Sequence, residues 1–151
     1  MKLLSAAFEH FDPIPVRYTG EGEDISPPLN WQNVPTGTQS FALICEDPDA
    51  PNGTWDHWIL YNIPPTMTSF DEGLKELPQE IQSCHNSWGK PGYGGPNPPS
   101  GTHSYFFILY ALDSMLELPD GATKADLINA IKGHILTEGT IIGTYQLKHG
   151  R

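Results

Sequence analysis

Two histidine-bearing segments hold the residue types that could do chemistry in this chain. In the first, EDPDAPNGTWDHW over residues 46–58, Asp47 and Asp49 sit in a proline-punctuated loop and His57 opens the strand expected to follow. Asp47 is placed to orient the His57 imidazole and fix its tautomer, since carboxylates commonly decide which ring nitrogen bears the hydrogen. Asp49 and Asp56 read as turn residues whose carboxylates accept backbone amides. The second segment, GKPGYGGPNPPSGTHSY over residues 89–105, has no strand or helix periodicity and puts His103 at the first residue of a long apolar run. Its glycines let backbone approach a ligand closely and its prolines stiffen the wall, although Gly and Pro density also suits a loop that serves only structure. If the two strands are neighbours, His57 and His103 converge at one sheet end. His57 and His103 as donors, Asp47 as the orienter of both, and loop amides nearby would accept a phosphate or carboxylate head group there.

Other chemistries fit these residues less well. Asp, His and His are acceptable zinc or iron ligands, but no HExxH-type spacing supports a metal, and none is assigned. There is no GxSxG elbow, and Ser87 and Ser100 near the histidines do not replace it. Cys84 adjoins His85, yet neighbours on extended chain point apart. The expectation is therefore no catalytic residue, no cofactor and no enzyme, with an unrecognised hydrolase or metal enzyme using the same His/His/Asp set as an alternative. Trp31, Trp55, Trp58 and Trp88 read as core or pocket wall rather than a platform for bases. His134 reads as a helix-surface histidine, and the acidic stretch Glu21 to Asp24 and the pair Asp71 and Glu72 as solvated loop faces.

The elements that must position the histidines follow from pattern and composition. A chain of 151 residues can bury a core without disulfides, so one domain over 1–151 is expected. Apolar residues are 38% and charged residues 17%, with 15 Gly and 15 Pro, a mix that favours short strands joined by tight turns. A net charge of −10, from 18 acidic against 8 basic residues, argues against a nucleic-acid partner. Cys45 and Cys84 match no zinc knuckle and no secreted disulfide scaffold, and read as reduced thiols. Glu9, His10 and Asp12 interrupt any signal core, and no apolar run could span a bilayer, so a soluble cytoplasmic protein without stable membrane insertion is expected.

The run QSFALICE (39–46) predicts a central strand that delivers Glu46 and Asp47 to a loop. In HWILYNIP (57–64), alternation puts His57, Ile59 and Tyr61 on one face and Trp58, Leu60 and Asn62 on the other, both largely apolar. In HSYFFILYALD (103–113), His103, Tyr105, Phe107 and Leu109 share a face opposite Phe106, Ile108 and Tyr110. Residues 65–102 predict irregular chain with one short strand near Ile81. Residues 123–136 predict the one helix, with Leu127, Ile128, Ile131 and Ile135 on its core face and Thr123 and Asp126 as a capping box. A last strand is expected over 139–147, and an extended loop before a buried Trp31.

Taken together, DPDAP followed by DHWILYNIP, then GYGGPNPPSGTHSYFFILYALD, with ISPPLNW ahead of them, resembles the phosphatidylethanolamine-binding protein family in its bacterial and archaeal, Raf kinase inhibitor-like branch. The resemblance covers nearly the whole chain. It implies a mainly β fold: a large central antiparallel sheet packed on a smaller one, a peripheral C-terminal helix, and a pocket at one sheet end. Family pocket positions fall on Asp47, His57, Gly95, Pro98, Pro99, His103 and Tyr105. The implied ligand is a small anion or phospholipid head group. The implied partners are a protein kinase or protease in some relatives and a second copy in a homodimer. Two departures stand out: Asn97 where relatives often have Cys, and Ser104 where they commonly have Arg, which bears on the affinity for anions.

Overall fold

A computed structural model describes residues 1–78 and 80–147 of the chain. The element order is β1 (Lys2–Leu4), β2 (Leu29–Gln32), β3 (Ser40–Asp47), β4 (Trp55–Ile63), β5 (Ser69–Phe70), β6 (Gln82–Ser83), β7 (His103–Leu112), α1 (Lys124–Ile131) and β8 (Ile135–Tyr145). A single 3-10 turn, Val16–Tyr18, precedes β2. One sheet runs β6-β4-β3-β7-β8 and the other β1-β2-β5, every pair antiparallel. The mainly β, two-sheet architecture with one peripheral helix is thus observed.

Alternation along the strands decides what each face of the large sheet buries. On β3, Phe41, Leu43 and Cys45 enter the main core while Ala42 and Ile44 enter a second one. On β7, Tyr105, Phe107, Leu109 and Ala111 follow the first set. The small sheet covers that face: the Trp31 ring lies 5.6 Å from Phe41 and 5.3 Å from Phe70, edge-on to both. α1 covers the opposite face, setting Leu127 and Ile131 against Ala42, Ile44, Ile59 and Tyr61. Each fully buried Leu, Ile or Phe among these contributes roughly 1.5–3 kcal/mol relative to exposure, so both faces of β3 and β4 anchor the site at their ends.

Several expectations are corrected. The helix stops at Ile131, because Gly133 takes φ 79° and turns the chain back into β8. Ile135 therefore belongs to β8 and is 44% exposed. His134 sits in that turn, outside the helix, with Nδ1 2.8 Å from the Asp113 carboxylate. The capping box forms as expected, Asp126 accepting the Thr123 N–H at 2.9 Å. β8 begins four residues before the expected strand start, at Ile135, and β5 was missed because two residues carry no readable period. The acidic loop residues are not all solvated faces: Glu72 accepts the Tyr18 hydroxyl at 2.7 Å and pairs with Arg17 at 2.8 Å, and Glu21 accepts the Tyr145 hydroxyl at 2.6 Å.

Candidate functional site

The site forms where the main-core stripes of three strands run out into polar residues. On β3 the stripe Phe41, Leu43, Cys45 ends in Asp47, and on β7 the stripe Leu109, Phe107, Tyr105 ends in His103. The register pairs Cys45 with Phe107 and Glu46 with Phe106, which brings Asp47 alongside Tyr105. β4 supplies His57 by a different device. Cys45 faces Trp58 and Glu46 faces Asp56, so His57 is the extra residue of a β-bulge. Strict alternation would send His57 to the helix-covered face with Ile59 and Tyr61. The bulge turns its ring to the main-core side instead, 5.2 Å from the Tyr105 ring.

Each imidazole is held at Nδ1 by an acceptor. His57 donates to the Gly94 carbonyl at 2.7 Å, and the His57 carbonyl in turn accepts the Gly94 N–H at 3.1 Å. His103 Nδ1 lies 2.6 Å from Asp47 Oδ2, with both residues buried. Asp47, expected to orient both histidines, orients His103, and the expectation is corrected for His57, which a loop carbonyl orients. Asp47 Oδ1 also accepts the Asp49 N–H at 2.8 Å, and Asp49 accepts the Ser104 N–H at 2.8 Å, which ties the β3–β4 loop to the start of β7. Asp56 does not cap an amide. It pairs with Lys124 at 2.7 Å, and Lys124 also reaches Glu46 at 3.1 Å.

These elements enclose a cavity of about 250 Å³, at the small end for a ligand site and sized for a head group rather than an acyl chain. Of the expected residues, Asp47, His57, Pro98, Pro99, His103 and Tyr105 line it. Gly95 does not. Its N–H donates to Asp24 at 2.7 Å, and a Cβ there would collide with the Tyr18 carbonyl oxygen, so its role is packing behind the wall. Ala50, Pro51, Trp55, Trp88 and Asn97 complete the lining. Trp88 meets Trp55 at 5.5 Å and His57 at 5.1 Å, edge-on to each, and stays 45% exposed at the rim. Trp55 and Trp88 are thus pocket wall while Trp31 and Trp58 are core, the two places expected of the four tryptophans. A larger cleft of about 580 Å³ beside β1 and β8 holds His10, whose Nδ1 already accepts the Ile142 N–H at 3.1 Å.

Burial pulls the His57 pKa below its ordinary value, against the opposing pull of the Gly94 carbonyl and of Asp47, Asp56 and Asp24. The unfolded chain therefore takes up a proton here near pH 6.5 that the folded site resists, and the stability present above that pH is lost as pH falls through the folded value. A His57→Gln variant, able to donate to Gly94 but not to ionise, should lose less stability than the parent in urea unfolding as the pH falls below about 6.5. Parallel curves for the two proteins would show that His57 is not resisting protonation. The thiols are poor nucleophiles: burial, with a minor push from Asp126, raises Cys84 to about 11, and burial holds Cys45 well above the usual thiol range. Ser87 Oγ accepts the Asp56 N–H at 2.8 Å.

No helix among the described residues is long and apolar enough to cross a membrane. A family model described as phosphatidylethanolamine-binding protein matches residues 4–146. A UPF0098 protein of Methanothermobacter thermautotrophicus is 49% identical over 149 residues, covering 97% of this chain and 99% of that protein. Among solved structures, a phosphatidylethanolamine-binding protein homolog from Chlamydia trachomatis superposes with a TM-score of 0.92 at 39% identity, covering 97% of both chains. YbcL of E. coli, described as a new member of the mammalian family of these proteins, gives a TM-score of 0.90 at 30% identity over 97% of this chain and 98% of that one.

Proposed function

Because the chain belongs to the phosphatidylethanolamine-binding protein family, we propose that it is a non-enzymatic binding protein whose pocket takes a small oxyanion head group of the phosphate or phosphoethanolamine type. The observation that carries this reading is the convergence of two imidazoles, each fixed through Nδ1, on one cavity of about 250 Å³. Rings held this way lose little freedom when a ligand arrives. The small cavity favours a head group over a whole lipid, and the raised thiols and the engaged Ser87 hydroxyl support binding without covalent chemistry. The absence of a membrane-crossing helix among the described residues is compatible with the cytoplasmic location we propose alongside it.

Calorimetric titration with inorganic phosphate and phosphoethanolamine tests the reading. The parent protein should bind near pH 6, and His103→Ala should bind at least about tenfold more weakly, the worth of one hydrogen bond to a charged group. Equal affinity in the variant would remove the pocket from consideration. A second reading, inhibition of a kinase or protease through protein contacts, draws on Trp88, an aromatic residue 45% exposed beside the pocket mouth. It requires a defined complex that weakens on Trp88→Ala.

A further inference from the structure

The tautomers of the two histidines fix what the pocket can offer. A carbonyl oxygen only accepts, so the hydrogen on a neutral His57 is on Nδ1, facing Gly94. An ionised carboxylate also only accepts, so the His103 hydrogen likewise faces Asp47. Nε2 of each ring has no hydrogen-bond partner among the described residues, and both rings line the cavity. In their neutral forms they therefore present lone pairs. The Asp47 carboxylate adds negative charge, and no lysine or arginine is among the described lining residues. The donor types among the lining side chains are the Tyr105 hydroxyl, the Asn97 amide and the Trp55 and Trp88 indole N–H groups, none of them a cation. A fully ionised oxyanion would meet two histidine lone pairs and a negative charge with no cation to offset them.

We propose that the pocket selects oxyanions that carry or recruit one hydrogen, so that ligand and proton bind together. The inference rests on the anion-binding reading above and specifies its ligand as a hydrogen-bearing oxyanion such as a phosphate monoester monoanion. The charged and titratable surroundings hold such a proton. His103 faces Asp47 from β3, Tyr105 from its own strand and Tyr145 across the β8 register, with Asp49 on the adjoining loop bonded to Ser104. His57 is acted on by Asp24, Asp47 and Asp56 and touches Tyr105. Lys124, the cation paired with Asp56, is shared with Glu46. A proton at His103 Nε2 creates an imidazolium already paired with Asp47, and one on the ligand donates to an Nε2 lone pair; either way the complex holds one hydrogen more than the free site and a bare anion.

Calorimetry of the whole chain in buffers of different ionisation enthalpy counts that hydrogen, with sulfate and inorganic phosphate as probes near pH 6 and near pH 8. Sulfate brings no proton and should take up about one per molecule bound, with affinity falling about tenfold per pH unit above neutrality. Phosphate should take up about one proton near pH 8, where it is mostly dianion, and distinctly less near pH 6, where it brings its own. Binding without proton uptake and with the same affinity at both pH values overturns this inference and leaves the anion pocket standing. Failure of both anions to bind at either pH overturns the anion reading and this inference with it.

Discussion

Replacing Asp47 by alanine should cost the fold about 3 kcal/mol, because removing one partner of a buried pair strands the other. Asp47 is 4% exposed and satisfies two donors, the Asp49 N–H at one oxygen and His103 Nδ1–H at the other. Alanine leaves both unpaired, one of them on a ring 7% exposed. Asparagine makes a sharper test. Its carbonyl can keep the Asp49 N–H, but its amide then points hydrogens at His103 Nδ1, and the ring must carry its own hydrogen on Nε2. The expected order of stability in urea is parent, asparagine, alanine, with asparagine losing about 1 kcal/mol. Nitrogen NMR of His103 should show the tautomer reversed in Asp47→Asn. With Nε2 converted to a donor, anion binding by that variant should no longer take up a proton at His103. An unchanged ring tautomer would mean that Asp47 does not set it.

What the sequence could and could not disclose about this site divides along physical lines. Alternation in HSYFFILYALD placed His103 and Tyr105 on the Phe107 face, and they are there, because a regular strand buried on that face has no other register available. The same reasoning failed for His57, since one inserted residue between Trp58 and Asp56 reverses the side on which it projects. The bulge depends on how β3 meets β4, which no local pattern in WDHW records. The expectation that Asp47 orients both histidines holds for only one of them, because nothing local shows that β3–β7 pairing delivers His103 to the carboxylate while the Gly94 carbonyl takes His57. The resemblance puts Gly95 among the pocket positions, but its requirement for space comes from the Tyr18 backbone on a distant segment. The helix was read too long because Ile135 continued its period, and Gly133 outweighed that one apolar position.

Tyr105→Phe should leave the free protein as stable as the parent, or more stable by about 1 kcal/mol, while lowering anion affinity about tenfold. The Tyr105 side chain is part of the main core, 1% exposed, yet its hydroxyl lies beside the Asp47 carboxylate without a well-formed hydrogen bond to any protein group among the described residues. Burial first, and the Asp47 charge second, push its pKa far above the usual phenol value, so the hydroxyl keeps its hydrogen at neutral pH. A buried donor left unused is a cost of about 1–3 kcal/mol to the free protein, and phenylalanine removes it without opening a sizeable cavity. A ligand oxygen at that point would recover the cost on binding. Stability and affinity should therefore move apart in this one variant, stability from thermal unfolding and affinity from phosphate titration. A loss of both would assign the hydroxyl to the fold, and a loss of neither would place the ligand away from Tyr105. Only the divergent result fits a donor held in reserve for an oxyanion that meets no cation among the described lining residues.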